Sequence, residues 1–269
     1  MLVGTAAAAH AGQMRPWGAF GALIVALLIQ VGTNLSNDVH DFVRGADAPG
    51  RGGPVRATVA GLLTPGQVAA GAYVCFAGAG VVGLAFALRF GWPLLLVGAL
   101  AIAAGIGYTG GPWPLGYHGL GEVFVFVFFG VVAVVGTTYV QTGNISALAA
   151  GASVPVGLLA TAVLVVNNLR DIETDRAAGK RTLPVRIGPR ATKALYLGCL
   201  LIAGAAPAAM RAAGWLGPWF WLPWLTAPMA IVLIRSVLNA SGPEVFNRAL
   251  RRTAELEFWF GALLAAALW

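Results

Sequence analysis

Residues 119–140 read GLGEVFVFVFFGVVAVVGTTYV, a run of 22 residues in which Glu122 is the single charged side chain. A helix of about 20 predominantly apolar residues crosses the hydrocarbon core of a bilayer, so this run has the length of one transmembrane span. Membrane β-strands would instead alternate apolar and polar residues over segments of about ten. Because the run is almost continuously apolar, it predicts a membrane-spanning α-helix.

Seven further apolar runs have a similar length, and residues 2–12 form a shorter apolar stub. The seven runs lie at 17–37, 66–88, 92–109, 147–168, 194–210, 215–235 and 254–269. The chain is 58% hydrophobic and only 10% charged, whereas soluble proteins carry about 25% charged residues. This composition excludes a soluble enzyme, a disordered regulator, a secreted disulfide scaffold and a nucleic-acid-binding module. The sequence predicts one all-α integral membrane domain over 1–269, with eight to nine transmembrane helices and an incomplete first helix.

The basic residues are distributed very unevenly between alternate loops. If the helices alternate in direction, 14 of the 17 Lys and Arg residues fall on one side of the membrane, and only Arg15, Arg89 and Arg211 on the other. Cytoplasmic loops of membrane proteins carry such an excess of positive charge. The sequence therefore predicts a multi-pass protein of the inner (plasma) membrane whose long loops are cytoplasmic.

Two short acidic clusters lie at helix ends on the predicted cytoplasmic face. The first contains Asn34, Asp38 and Asp41, and the second contains Asn167, Asp171 and Asp175. In each cluster the spacing places the three side chains on one face of a helix, if the helix continues through them. Carboxylate oxygens near a phosphate-bearing substrate form the kind of site that Mg²⁺ occupies. The four aspartates are therefore predicted as catalytic and metal-binding residues, with Mg²⁺ as cofactor.

Basic and aromatic residues near these clusters supply candidate contacts for an anionic substrate. Lys180 and Arg181 follow the second cluster, and Arg44 follows the first. Cations beside metal-binding acids suit a polyanion that is held from both sides. Tyr108 and Tyr117 belong to a Gly- and Pro-rich loop that is predicted to fold tightly on the same face. These five residues, with Asn34 and Asn167, are the predicted substrate-binding set.

Three segments together resemble the UbiA-type intramembrane prenyltransferases. They are NDVHDFVRGAD (37–47), YTGGPWPLGYHGLGEVFVFVFFG (108–130) and NNLRDIETDRAAGKRTLPVRIG (167–188). The segments occur in the order that the family has, and the resemblance extends over essentially the whole chain. Within the family the match is nearest to the branch that prenylates 1,4-dihydroxy-2-naphthoate in menaquinone biosynthesis. In the wider family the first motif has the pattern NxxxDxxxD. In this chain Phe42 occupies a position where that spacing would place an acid, and this difference fits the naphthoate branch.

The resemblance implies a nine-helix bundle around a central cavity and a transferase of prenyl groups. It implies that Asn34, Asp38 and Asp41, closed by Asp47, bind Mg²⁺ and the diphosphate of a polyprenyl donor together with Asn167, Asp171 and Asp175. It implies that Lys180, Arg181 and Tyr108 are substrate contacts. The expected partners are a polyprenyl diphosphate, 1,4-dihydroxy-2-naphthoate and the lipid bilayer, and no nucleic acid. Some relatives have Lys or Arg in the middle loop where this chain has Trp113 or Gly116.

Two alternatives stay open from the sequence alone. Another aromatic acceptor, such as 4-hydroxybenzoate or homogentisate, would use the same motifs, because acceptor choice depends on the shape of the cavity. An ion-coupled membrane transporter would also place Asn and Asp residues in membrane helices. Its acids are expected near the bilayer midplane on broken helices, whereas here they lie at predicted helix ends.

Overall fold

The computed structural model describes residues 1–45, 56–240 and 242–269. Asp47, which is expected to close the first motif, lies outside these ranges. The helices are α1 (Leu2–His10), α2 (Pro16–Val43), α3 (Pro65–Phe90), α4 (Pro93–Gly107), α5 (Gly121–Thr142), α6 (Ala147–Arg170), α7 (Ile172–Ala177), α8 (Leu183–Ala212), α9 (Ala227–Leu238) and α10 (Pro243–Leu268). The described part of the chain contains no β-strand, so the prediction of an all-α protein is confirmed.

Seven of the eight apolar runs predicted from the sequence coincide with a helix over most of their length, whereas the run 215–235 is helical only from Leu222 onward. Among the described residues, five helices are long and apolar enough to cross a membrane, namely α2, α3, α5, α6 and α8. Two shorter apolar helical segments are Pro93–Gly107 and Leu222–Leu238. The stub at 2–12 forms α1, which has nine residues and is much shorter than a span.

The sequence marks several helix starts directly. Helices α3 and α4 have proline in their first turn, where the missing N–H has no helical partner to lose. At α3 the Thr64 hydroxyl accepts a hydrogen bond from the Gln67 backbone N–H, and the Gln67 side chain accepts one from the Thr64 N–H. This reciprocal capping box satisfies two donors at the helix start. The capping box therefore fixes the residue at which the membrane-spanning helix α3 begins.

The chain divides into two compact units, and the first comprises residues 1–20, 122–170 and 187–269. In this unit α10 packs against α1 and α6, and α6 packs against α5. Residues Phe126–Val132 of α5 form a π-helical segment. A methyl group added at Gly130, within this segment, would lie only 2.5 Å from the Gly157 Cα atom of α6. Close approach through small residues is how membrane helices pack tightly, so α5 and α6 depend on these two glycines.

The second unit comprises residues 21–121 and 171–186, and it carries most of the predicted site residues. Helix α2 again packs through glycines. A methyl group at Gly21 would lie 2.6 Å from the Phe86 ring, and one at Gly32 would lie 2.8 Å from the Phe76 ring. Both aromatic side chains belong to α3, so the two helices are held at close distance. A single domain over 1–269 stays a prediction.

Candidate active site

Helix α2 continues through the first acidic cluster to Val43. The helical spacing of Asn34, Asp38 and Asp41 is therefore present, as predicted. Asp38 and Asp41 are buried, whereas Asn34 is exposed. A polar contact that the sequence analysis missed lies between these positions, because the Thr109 hydroxyl donates a 2.8 Å hydrogen bond to Asn37 Oδ1. That bond ties α2 to the loop after α4.

Asp41 lies at the centre of the site, with 2% of its side chain exposed. Lys180 Nζ lies 2.9 Å from Asp41 Oδ1, and the Tyr117 hydroxyl donates to the same oxygen at 2.9 Å. Arg56 donates to Oδ2, also at 2.9 Å. We refer to Asp41, Lys180, Tyr117 and Arg56 as the Asp41 cluster. Charge-assisted bonds of this length are among the stronger hydrogen bonds in proteins, so the cluster joins segments that are far apart in the sequence.

A single turn at residues 56–61 holds both aspartates of the first cluster. The Ala60 N–H bonds to the Arg56 carbonyl at 2.9 Å, and Gly61 closes the turn with a φ of 67°, which glycine adopts without strain. The turn brings Arg56 to Asp41 and the buried Thr58 hydroxyl to Asp38 Oδ1. From the sequence alone, Arg56 is only one of the predicted cytoplasmic charges, and Thr58 is not among the predicted site residues.

The second acidic cluster does not lie on one continuous helix. Helix α6 ends at Arg170, and Asp171 precedes α7 with φ −97° and ψ 8°. The expected register nevertheless persists, since the Asp175 N–H donates to the Asp171 carbonyl at 2.8 Å. The Lys180 N–H then donates to the Asp175 carbonyl, also at 2.8 Å. At the end of this segment the Lys180 side chain reaches Asp41.

The exposure of the acids and cations in this segment differs. Asp171 and Lys180 are buried, Asp175 is half-buried, and the Arg181 side chain is exposed. Arg181 contributes through its backbone, whose N–H donates to the Tyr117 carbonyl at 3.0 Å. Of the two cations predicted here, only Lys180 contacts an acid of the first cluster.

Tyr117 connects the Gly- and Pro-rich loop to the cations. Lys180 Nζ lies 4.8 Å and the Arg44 guanidinium carbon 5.3 Å from the centre of its ring, distances typical of cation–π contacts. Arg44 also donates to the Gly111 carbonyl. The predicted tight loop is present, with the Gly116 N–H donating to the Tyr108 carbonyl at 2.9 Å. Tyr108 lies at the base of this loop and is half-buried.

Asn167 belongs to the first compact unit. Its Oδ1 accepts a 2.9 Å hydrogen bond from Arg170, and its neighbour Asn168 donates to Glu122 Oε1 at 3.1 Å. Asn168 and Glu122 are both buried. The Asn167 side chain is therefore oriented by a polar network of its own unit.

The acids present suit a hard divalent cation. Within residues 1–45, 56–240 and 242–269, no three His, Cys, Asp or Glu side chains lie close enough to hold a metal together. Mg²⁺ usually takes only one or two protein carboxylates and fills its shell with water and substrate phosphates. Buried carboxylates such as Asp38 and Asp171 match this donor set. The residues therefore fit a Mg²⁺ ion that arrives with a phosphate-bearing substrate.

Comparison with solved structures identifies the fold. The apo structure of a UbiA homolog from Aeropyrum pernix matches with a TM-score of 0.74 at 17% identity, covering 98% of this chain and 97% of that one. A UbiA homolog from Archaeoglobus fulgidus bound to DMAPP and Mg²⁺ matches with a TM-score of 0.60 at 16% identity, covering 98% and 94%. At these identities the likeness concerns the fold, which is that of multi-pass membrane proteins.

Sequence comparison is more specific. The 1,4-dihydroxy-2-naphthoate octaprenyltransferase of Mycobacterium tuberculosis is 39% identical over 268 residues, which cover 100% of this chain and 90% of that protein. The family description that matches residues 1–261 is the UbiA prenyltransferase family. Because this match extends over nearly the whole sequence and agrees with the fold, the chain belongs to the UbiA prenyltransferase family.

Proposed function

We propose that the protein transfers a polyprenyl group from polyprenyl diphosphate to 1,4-dihydroxy-2-naphthoate, releasing CO₂ and diphosphate and giving demethylmenaquinol. The observation that carries this proposal is the 2.9 Å ion pair between Lys180 and Asp41. It brings the basic tail of the second motif onto the first motif, as a site for a metal-bound diphosphate requires. The name of the similar mycobacterial protein supports the naphthoate as acceptor.

The site acts on the bond between the prenyl carbon and the diphosphate oxygen. That bond breaks with its electron pair leaving on the diphosphate, and the allylic cation forms a new bond to the electron-rich ring. The ring carboxylate then departs as CO₂, and its bonding pair stays with the ring. Positive groups aimed at the leaving oxygens lower the barrier because negative charge develops there in the transition state. We assign this task to Lys180, which is buried, and Arg56, which is half-buried, because both are ion-paired with Asp41.

The predicted acids supply the negative side of the same site. We assign Asp38, Asp41, Asp171 and Asp175 to it, and Mg²⁺, when bound through these acids, neutralises charge on the diphosphate. The match to the Archaeoglobus structure with DMAPP and Mg²⁺ supports this choice of metal. Tyr117, which contacts Asp41 and Lys180, orients the cation. Asn34, Asn167, Tyr108, Arg44 and Arg181 are proposed as further contacts for the diphosphate or the acceptor.

The proposed setting is the inner membrane, with these loops on the cytoplasmic side. The unequal distribution of Lys and Arg between alternate loops supports this orientation. A soluble diphosphate-bearing head group and a soluble naphthoate would then meet at the membrane surface. The prenyl tail would extend among the apolar helices.

The test uses the purified full chain in detergent with Mg²⁺, a polyprenyl diphosphate and 1,4-dihydroxy-2-naphthoate. Mass spectrometry is expected to detect the prenylated, decarboxylated product, and EDTA is expected to abolish it. Parallel reactions with 4-hydroxybenzoate and homogentisate test the acceptor. A product formed only from one of those acceptors would contradict the naphthoate assignment, and an EDTA-resistant product would contradict the role of the metal.

A further inference from the structure

The predicted cytoplasmic cations differ in whether the protein itself binds them. Many have partners within the chain, and these include Arg44, Arg56, Arg170, Arg176, Lys180 and Lys193. Arg235, Arg248, Arg251 and Arg252 of the first unit are different. These residues are exposed, and their side chains make no hydrogen bond or ion pair with the residues that the structure describes. The four cations are therefore available to a ligand from outside the chain.

The four arginines lie at the same end of two packed helices. Arg235 is in the last turn of α9, and the other three are in the first turns of α10. The two helices pack against each other and are joined by a short connection, which makes them antiparallel neighbours. Lys193 of α8 holds this connection, because its Nζ donates to the carbonyls of Leu238 and Ala240. The arginines are therefore placed together by the fold of the first unit.

One face of α10 is exposed along most of the helix. Its residues recur at helical spacings of three and four and are Glu244, Arg248, Arg251, Arg252, Glu255, Phe258 and Trp259. The opposite face is buried and includes Phe246, Ala249, Thr253, Leu256 and Phe260. Exposed aromatic side chains within an apolar membrane helix face lipid. The arginines share that face, so they are directed toward the surrounding lipid as well.

The arginines lie at the depth of lipid headgroups. Arg251 and Arg252 precede Phe258 and Trp259 by seven residues, which is two helical turns and about 10 Å along the axis. The apolar run of α10 begins only after them, at residue 254. On α9 the exposed Ile231 and Val232 precede Arg235 by one turn. Both helices thus carry arginine where their lipid-facing apolar surface ends, and guanidinium groups bind phosphate with two parallel hydrogen bonds.

The charge of this surface distinguishes between possible occupants. Glu244 and Glu255 are the acids on the exposed face of α10, and neither forms an ion pair with the described residues. Four cations against two acids leave the surface positive, so an anionic headgroup is attracted more strongly than a zwitterionic one. A second copy of this chain, if it covered the face in a symmetric dimer, would bring the same arginines together.

We infer that the adjoining ends of α9 and α10 form a binding site for an anionic phospholipid. Arg248, Arg251 and Arg252 bind the headgroup phosphate, and Arg235 adds positive charge from the neighbouring helix. The acyl chains lie along the exposed apolar residues of the two helices. This site is separate from the Asp41 cluster, and it does not depend on the proposed transferase activity.

The test measures lipid binding by the purified full chain in detergent. Native mass spectrometry is used to titrate the protein with dioleoyl phosphatidylglycerol and, separately, with dioleoyl phosphatidylcholine. Each cation near an anionic lipid contributes about fivefold to binding. The wild type is therefore expected to bind phosphatidylglycerol at least fivefold more tightly. Replacing Arg248, Arg251 and Arg252 together by Gln is expected to reduce this preference below twofold, whereas replacing them by Lys is expected to keep more than half of it.

A matched control removes the same charge elsewhere. Arg15→Gln, Arg89→Gln and Arg211→Gln, combined in one variant, neutralise the three cations of the predicted opposite face. This variant is expected to keep the preference for phosphatidylglycerol, and an equal loss in it would overturn the inference. Glu255→Gln removes a negative charge from the site and is expected to strengthen the preference at least twofold. No increase would contradict the site even if the triple Gln variant did not fold.

Two other occupants are outcomes of the same experiment. Inorganic diphosphate in tenfold excess over phosphatidylglycerol is expected to displace less than half of the bound lipid, because it lacks the acyl chains. Complete displacement would indicate a site for soluble polyanions and would overturn the inference. A dimer that is lost in the triple Gln variant, with the lipid preference unchanged, would assign the surface to a second copy of the chain and would also overturn it.

Discussion

Replacing Lys180 by Met tests the centre of the proposed site. The Lys180 side chain is 10% exposed, and its ammonium group lies 2.9 Å from a carboxylate that is 2% exposed. Breaking a buried ion pair costs about 3–5 kcal/mol when the remaining charge has no other partner. Arg56 and Tyr117 still bind Asp41 in this variant. The expected loss of unfolding free energy is therefore that of one charged hydrogen bond, about 1.5–3 kcal/mol.

The effect on catalysis is expected to be larger than this structural loss. A preorganised donor that meets charge in the transition state contributes about 2.7–4 kcal/mol, which corresponds to about 10²- to 10³-fold in rate. The assay is steady-state kcat/KM for the prenyl diphosphate, with thermal unfolding measured on the same preparations. Lys180→Arg keeps the charge and is expected to retain more activity than Lys180→Met.

The chain offers a matched control for this experiment, because Lys193 is its second and last lysine. Lys193 Nζ donates to the carbonyls of Leu238 and Ala240 at 2.9 and 3.1 Å, and all three residues belong to the first compact unit. Lys193→Met is expected to lower the unfolding temperature and leave turnover nearly unchanged. Turnover of a folded Lys180→Met variant within about threefold of the wild type would refute the proposed role of Lys180.

Three further variants test other parts of the structure. Asp171→Asn is expected to reduce turnover at least 100-fold in a folded protein. The control is Glu173→Gln, at an exposed position two residues away, which is expected to have no effect on turnover. Near-normal turnover of Asp171→Asn would exclude Asp171 from the site. Tyr117→Phe removes one hydrogen bond but keeps the ring beside the cations. We therefore expect kcat/KM to fall about 10-fold. A fall as large as that of Lys180→Met would contradict this limited role of the Tyr117 hydroxyl. Gly130→Ala forces α5 away from the facing helix and is expected to cost about 1–3 kcal/mol, measured as a lower unfolding temperature. Gly136→Ala, on the same helix with open space around it, is the control, and equal stability of these two variants would contradict the packing argument.

The helices were predictable because their signal is local. A membrane-spanning helix must be almost continuously apolar to lie in lipid. A run such as 119–140 can therefore be recognised from its own residues, without information on the helices that pack against it. The acids of both motifs were predictable for a related reason. Placing Asp residues at the ends of membrane-spanning runs costs free energy, so such residues usually have a function. The spacing of Asp38 and Asp41 along α2 follows from the same helix.

The contacts that complete the site were not predictable in this way. Arg56 and Thr58 reach the aspartates through a short turn whose placement depends on tertiary packing, and nothing in their local sequence distinguishes them from ordinary loop residues. The helix break at Asp171 was missed because the backbone departs from helical geometry by a modest rotation at one residue. Asn34 fits the motif spacing, yet its side chain is exposed, whereas Asn37 accepts the hydrogen bond from the loop after α4. Periodicity cannot decide which of two nearby amides faces a partner.

The π-helical segment at Phe126–Val132 has a consequence for how this family can change in length. A π turn accommodates one more residue than an α turn, so the residues after it face the same direction as they would in a regular helix that is one residue shorter. Deleting a single residue within this segment would therefore convert it to an α-helix and keep Val134, Thr138 and Gln141 on their present, buried face. The same deletion in the middle of α6 would rotate every later residue by about 100°, the turn of one residue in a helix of 3.6 residues per turn. Length variants of this fold are thus expected to differ by one residue in this part of α5, and to keep the length of α6 constant up to the acidic cluster that follows it.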